Sequence, residues 1–456
     1  MSVYELVPCS KDGLNGAKYG CIIRINQKIF LIYLRNNEQC CKKEFKMLCQ
    51  FTFDNFRSYR DETTFDMQAT TMKEFRESLI IDDKDGQAFL PVSVIYGPNA
   101  GGKSNLFLAM HRMFDAVAYP IYLLSRKDDA TKDIPRPKVK GTDAFRFDDK
   151  HPHEPSDFEV YFRTKGQEFR YTLSFDSEGI TAESLMRKNV GGTRTALLFE
   201  RAGDDVELGS SLKRAKVNTS FNTDIPYLSF LALNYDIEFV DLAADWLASA
   251  RFIDFDFRFE ELILEKTLEQ EDESVVVGIL KAAGINIDGF RVEGDEDDFE
   301  NRRVWVRHIV NGKPYELRLN KESAGTRKMI SIAVALDDVL KEGSLLVVDE
   351  LDSKLHPKLL RFIVMLFQDP AINRCGAQLV FTSQDVSIMR NDVFRRDEIW
   401  FAARGEDEES SLWSLSDIHE PNGNLVNKNA AFDRQYLSGR YGADPILDRL
   451  LYWEED

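Results

Sequence analysis

From residue 47 onward the apolar positions fall into recognisable periods. MLCQFTFDNFRSYRDETTFDMQA alternates apolar and polar residues on both sides of Asn55-Phe56-Arg57-Ser58, which predicts two strands and a turn. An unbroken apolar run, Val92 to Tyr96, leads into Gly97-Pro98-Asn99-Ala100-Gly101-Gly102-Lys103-Ser104, and helical spacing follows from Lys103 to about Val117. FEVYFRT, EFRYTLSF and ITAESLMR alternate again between 158 and 187, the pattern of an antiparallel meander. The period then lengthens. LSFLALN, FVDLAADWLASA, FEELILEKTLEQ and SVVVGILKAAG read as helices between Tyr227 and Gly284. VWVRHIV and YELRLN return to strand around a turn at Asn311-Gly312, MISIAVALDDVL is a nearly all-apolar helix, and LLVV and QLVF are short buried strands. No heptad is sustained over three or four repeats, so no long coiled-coil arm is expected.

The strands alternate with helices in an order that predicts an α/β fold. It has a mixed sheet, an antiparallel β subdomain and a helical insertion. RKDDATKDIPRPKVKG (126–141) reads as a surface loop, and the acidic run Glu293 to Glu300 as another. Four blocks follow: 1–46, an N-terminal extension; 47–225, a lobe with the glycine-rich stretch after Tyr96 and the antiparallel strands; 226–300, the helical insertion; and 301–456, a second lobe with the C-terminal tail.

Composition adds limits. At 456 residues, 43% hydrophobic and 30% charged, the chain can bury a large core in two or three lobes. No apolar run approaches the ~20 residues that span a bilayer, so a cytoplasmic location without membrane contact is expected. The net charge of −18 repels nucleic acid on average, and such a role would need a local basic patch or a separate partner. The six histidines show no metal-ligand spacing with cysteines. Five of the six cysteines precede residue 50, and no disulfide framework is expected from them. Lys43-Glu44 can be encoded AAGGAG, six nucleotides before a Met47 codon. Residues 1–46 are therefore expected to lie upstream of the natural start, and without them 51 basic residues face 73 acidic ones, a net −22.

Three stretches carry the chemistry. Gly97 to Ser104 matches G-x-x-x-x-G-K-[ST], the phosphate-binding loop. Its glycines let backbone N–H groups curl around phosphate oxygens, and the following helix points its positive end at the anion. Lys103 is expected on the β- and γ-phosphates and Ser104 on Mg²⁺, with Asn99, Gly101, Gly102 and Asn105 completing the ATP site. Leu345 to Glu350 is a buried strand ending in two acids, suited to Asp349 holding Mg²⁺, directly or through water, and Glu350 activating the attacking water. Gln378 to Asp385 is a similar strand ending in polar residues, suited to sensing a γ-phosphate. Glu322-Ser323-Ala324-Gly325-Thr326 opens the apolar helix, with Ser323 as N-cap. It reads equally as an anion-facing turn or an ordinary capped helix. Lys103 and Asp349 lie 246 positions apart, so a large insertion separates the halves of the nucleotide core.

NFRSYRDE, GPNAGGKSN, ESAGTRK, VVDELDSKLHP, QLVFTSQD, RRDEIWF and YLSGRYGADP appear in this order. With them, residues 47–456 resemble ABC-type ATPase heads of the SMC/RecF/OLD kind. More closely, they resemble the bacterial AAA-family ATP/GTP phosphatases linked to abortive infection and phage defence, the RloA-like and AriA-like proteins. The resemblance implies an ATPase in which Ser323 and Gly325 form the ABC signature, reaching the γ-phosphate held by a second copy of the chain. It places Asp352 in the D-loop at that interface and Arg57 and Ser58 close to the nucleotide. Gln384 stands where relatives usually carry a switch histidine, and a glutamine carries no proton that titrates near neutral pH, so turnover is expected to be slow. Ile446, Leu447, Leu450, Leu451 and Trp453 would form an apolar stripe that packs on its own head or docks a partner.

Two functions follow. One is a nucleotide-dependent sensor and scaffold that self-associates and controls a nuclease-like effector, RloB-like or TOPRIM-type, in anti-phage defence. The other is a RecF/SMC-like repair or recombination ATPase that clamps DNA. A TOPRIM fusion as in OLD proteins fits poorly, because too few residues follow the switch strand.

Overall fold

Five short strands lie parallel at the centre of the molecule, in the order Arg251–Ile253, Leu345–Val348, Gln378–Thr382, Val92–Tyr96 and Ile399–Arg404. Ser410–Ser414 joins antiparallel at the edge. These coordinates are a computed structural model describing residues 45–125, 143–254, 273–294, 303–420 and 423–443. The expected loop at 126–141, the helix at 259–270, most of the acidic run and the tail stripe lie outside the described residues, as do residues 1–44.

The three strands at the middle of the sheet are buried along their whole length, which is why they read as unbroken apolar runs. Alternate side chains feed two cores. Val92, Val94, Tyr96, Leu346, Val348 and Phe381 face the helices Glu273–Ala282, Ala324–Glu342 and Pro357–Gln368. Ile95, Leu345, Val347 and Val380 face the helix Lys103–Ser125. That helix lies between the central sheet and a seven-stranded antiparallel sheet, because its Phe107, Met110, Met113 and Phe114 share a core with Phe51, Phe53, Phe158 and Phe169.

The antiparallel sheet contains the expected pair Met47–Asp54 and Thr63–Asp66, then the meander Ser156–Thr164, Gln167–Phe175 and Ile180–Asn189. A buried glutamine joins it to the central sheet. Gln378 is 1% exposed; its Oε1 accepts from Leu48 N at 2.6 Å, and its Nε2 donates to Leu90 O at 3.0 Å.

Three local outcomes differ from the sequence reading. The Lys103 helix runs to Ser125 through Pro120 rather than ending near Val117. Pro120 removes one ladder bond and leaves carbonyls to be satisfied otherwise. The Ser229 hydroxyl donates to Val117 O at 2.9 Å just before it, and Leu123 beyond it is buried. Between 226 and 300 the helices Tyr227–Asn234, Glu238–Ser249 and Glu273–Ala282 form, but Arg251–Ile253 interrupts them as a strand of the central sheet. Three residues are too short to show a period. Of the cysteines in the described residues, Cys49 is free and buried and Cys375 is disulfide-bonded.

The long apolar helix starts at Ser323, whose Oγ accepts from Thr326 N, and ends at Gly343 in the left-handed conformation. Asn311 and Gly312, at φ 53° and 76°, close the hairpin of Arg303–Val310 with Lys313–Arg318. No described helix is long and apolar enough to cross a membrane.

Candidate functional site

Parallel strands place the loops after their carboxyl ends along one edge of the sheet. Here Val92–Tyr96, Gln378–Thr382 and Leu345–Val348 are neighbours, so the phosphate loop, Ser383 to Asp385 and Asp349 to Asp352 come together despite their separation in sequence.

The phosphate loop is held from behind. A Cβ on Gly97 would stand 2.0 Å from Ala402 O, and one on Gly101 2.6 Å from the same atom. Gly102, at φ +107°, leaves room for the Ser410 hydroxyl, which a Cβ would meet at 2.5 Å. Tyr59 Oη donates to Gly102 O at 3.3 Å. Asn99 and Ala100 stay exposed at the loop tip. The Asn105 and Leu106 N–H groups donate to Gly102 O at 3.0 and 3.1 Å, and helix geometry leaves those of Lys103 and Ser104 without intrahelical acceptors as the anion-binding end.

Lys103 is 6% exposed, and its Nζ donates to Gly97 O and Pro98 O, both at 2.9 Å. Burial pulls its ammonium below the ordinary value, while the carboxylates of Asp349, Glu350 and Asp352 push it back up. That influence is the electrostatic sign that the two halves of the site have met. Ser104 is exposed beside it.

The acidic loop is gripped by the neighbouring strand. Thr382 Oγ1 donates to Asp349 Oδ1 at 2.5 Å and accepts from Glu350 N at 2.7 Å. Glu350 lies at φ +47°, and its Oε1 accepts from Gln384 Nε2 at 3.1 Å. Asp352 Oδ2 accepts from Gln384 N at 3.1 Å and Asp385 N at 3.0 Å. Asp352 thus anchors its own switch loop. Its Oδ1 is buried with no hydrogen-bond partner.

Ser58 and Arg57 part company. Asn105 Nδ2 and Ser410 Oγ each donate to Ser58 Oγ at 2.7 Å, so Ser58 braces the start of the phosphate-loop helix from behind. Arg57 is exposed, at φ +54°, with its guanidinium 3.7 Å from Asp143 Oδ2. Ser323 is exposed at the start of the Ala324–Glu342 helix. Gly325 lies against the acidic loop, where a Cβ would be 2.9 Å from Lys354 O. Among the described residues no hydrogen bond joins Ser323 to the phosphate loop.

Sequence reasoning missed Ser410, which lies more than 300 positions from the loop it braces, and Lys328. The one signal for Lys328 is a lysine interrupting the apolar face of a helix that is otherwise buried there.

The residues suit a magnesium nucleotide. A buried cation, an exposed hydroxyl at the helix start and the carboxylates of Asp349 and Glu350 meet at the edge of the sheet, the donor set that a polyphosphate and a hard divalent ion require. A family model described as "AAA domain, putative AbiEii toxin, Type IV TA system" matches residues 92–390, and the chain belongs to that family. No curated protein matches it. Among solved structures it is similar to an SMC head bound to the C-winged helix domain of ScpA, at 12% identity and TM-score 0.41, covering 80% of this chain and 97% of that one. It is also similar to the SMC head domain from Thermotoga maritima, at 13% identity and TM-score 0.36, covering 80% and 98%. A third is an SMC head with an extended coiled coil bound to the C-terminal domain of ScpA derived from Pyrococcus furiosus, at 11% identity and TM-score 0.39, covering 81% and 96%.

Proposed function

We propose that this chain binds and slowly hydrolyses ATP, and that nucleotide-driven pairing of two copies makes it the sensor and scaffold of an abortive-infection system. In this reading it controls a nuclease-like effector from the cytoplasm. The observation that carries the ATPase reading is the convergence of Lys103, Asp349, Glu350 and Gln384 at the carboxyl ends of three adjacent parallel strands. The family description supports the abortive-infection part.

The residues divide the work. Lys103 and the first-turn amides would bind the β- and γ-phosphates, with Asn99, Gly101, Gly102 and Asn105 shaping the loop around them. Ser104 and Asp349 would hold Mg²⁺, which when bound neutralises charge on the phosphate oxygens. Glu350 would take the proton of the water that attacks the γ-phosphorus as the bond to the bridging oxygen breaks. Gln384 orients Glu350 and would feel the γ-phosphate, but holds no titratable proton. Ser323, exposed at the start of its helix, and Gly325 would reach the nucleotide of a second copy, with Asp352 and Arg57 near that junction.

Glu350→Gln tests this directly. With ATP and Mg²⁺ it should sediment as a dimer or larger, with turnover lowered by about 10²–10⁴-fold. A monomer under every nucleotide condition, or unchanged turnover, overturns the reading. For the effector, the tagged chain purified from its native locus should bring down a nuclease-like protein, and Lys103→Ala should abolish protection against phage. Protection that survives Lys103→Ala removes the nucleotide from the defence role.

A further inference from the structure

The signature helix buries two charged side chains, Asp337, which Lys341 pairs at 2.7 Å, and Lys328, which reaches the acidic loop. Lys328 is 4% exposed on the face of the Ala324–Glu342 helix that also buries Ile332, Ala335 and Val339. A lysine almost never gives up water unless its ammonium finds fixed partners. Here Nζ donates to the backbone carbonyl of Glu350 at 2.7 Å. An unbranched apolar side chain would fill the same space, so the ammonium is what the position requires.

Its partner is the residue whose orientation matters most. Glu350 sits at φ +47°, a left-handed conformation that a side chain of this length holds only where its surroundings impose it. The grip comes from both sides of the residue: Thr382 Oγ1 receives the Glu350 N–H at 2.7 Å, and Lys328 binds its C=O. With both backbone groups tied, the carboxylate is aimed at Gln384 Nε2, 3.1 Å away. Thr382 belongs to the central sheet and is fixed. Lys328 rides on a helix whose exposed start is Ser323, one and a half turns earlier. That start touches the same acidic loop a second time, where Gly325 has no space for a Cβ against Lys354 O, itself on a residue at φ +62°.

We infer that Lys328 is a positioning residue, which sets the direction of the Glu350 carboxylate according to where the signature helix stands. A shift of the helix start, where a second copy's nucleotide would be read, carries Lys328 with it and turns Glu350. Each chain's base is thereby set by contact with its partner's ATP. The inference rests on the reading of Glu350 as the general base.

The test compares steady-state ATP turnover of the full chain with Lys328→Met, Lys328→Arg, Glu350→Gln and the Lys328→Met/Glu350→Gln double variant, with nucleotide affinity and thermal melting measured for each. Lys328→Met keeps ATP affinity and KM near wild type while kcat falls by about ten- to a hundredfold, the cost of misplacing a reacting group by about an ångström. Lys328→Arg recovers most of it. The double variant is no slower than Glu350→Gln alone, because the effect of Lys328 on kcat passes through Glu350. Should Glu350→Gln lose turnover while Lys328→Met keeps the wild-type kcat, or should the double variant show the product of both losses, the inference is overturned and the role of Glu350 stands. Unchanged turnover in Glu350→Gln, or none in the wild type, overturns the reading beneath it. If Lys328→Met melts early, Lys328→Arg decides: a stable Lys328→Arg without restored kcat also overturns the inference.

Discussion

Gln384 Nε2 donates to Glu350 Oε1 at 3.1 Å, so the proposed switch residue and the proposed base are joined across the ends of two strands of the central sheet. An amide donates that bond without ever changing charge, whereas an imidazole would donate it neutral at high pH and as a cation at low pH. Replacing Gln384 by His should therefore introduce a new inflection in the pH dependence of kcat near the ordinary histidine value of about 6.5. Gln384→Ala should lower kcat by about 10²-fold at every pH. Profiles of both variants between pH 5.5 and 8.5 check this, and curves superimposable on wild type would take residue 384 out of the chemistry.

Lys103→Ala removes a cation whose present partners are the loop carbonyls of Gly97 and Pro98. Losing charge-assisted bonds to phosphate of about 1.5–3 kcal/mol should weaken ATP by roughly ten- to a hundredfold. Titration calorimetry measures the loss. Because the ammonium is buried below its ordinary value, replacing it should not lower the melting temperature in the absence of nucleotide.

Gly102→Ala meets two separate obstacles. The new Cβ would stand 2.5 Å from Ser410 Oγ, and the backbone at φ +107° is strained for any side chain. The expected cost is about 1–3 kcal/mol of stability together with lost nucleotide binding. Gly102→Ala combined with Ser410→Gly relieves the contact and leaves the strain. Partial recovery of the melting temperature is expected, and full recovery would mean that the backbone conformation is unimportant.

Away from the site, burial pushes the Glu398 carboxyl up to about 8, with Asp397 adding to the rise and Arg395 opposing it. Its Oε2 accepts from Arg395 N at 2.9 Å and Gln368 Nε2 at 3.2 Å. A carboxyl raised in the folded state binds its proton more tightly there than in the unfolded chain. Its contribution is full below the unfolded value of about 4.3 and is lost as pH rises through 8. Wild-type melting temperature should fall between pH 5 and 9 more than that of Glu398→Gln, and parallel curves would contradict this.

The phosphate loop, the acidic strand end and the switch strand were legible because each is a local pattern: an apolar run, a turn chemistry and a cap within about ten residues. The central sheet was legible for the same reason, since strands buried on both faces are written without alternation. Arg251–Ile253 was not, because its neighbour Leu345–Val348 lies far along the chain and three residues carry no period. Ser410 and Lys328 escaped for a related reason. Each is an unremarkable polar residue until the fold brings Gly102 or the Glu350 carbonyl against it. Ser58 was found by resemblance, but its hydroxyl faces Asn105 and Ser410 and works as a brace.

The Gln378 amide also has a mechanical consequence. One side chain, sealed from solvent, grips the main chain at Leu48 and Leu90 from the first residue of the strand that leads to Gln384. The first residue of that five-residue strand is thereby pinned to the outer antiparallel sheet at Leu48, while its last residue, Thr382, holds Asp349 and Glu350, so one strand is tied at both ends.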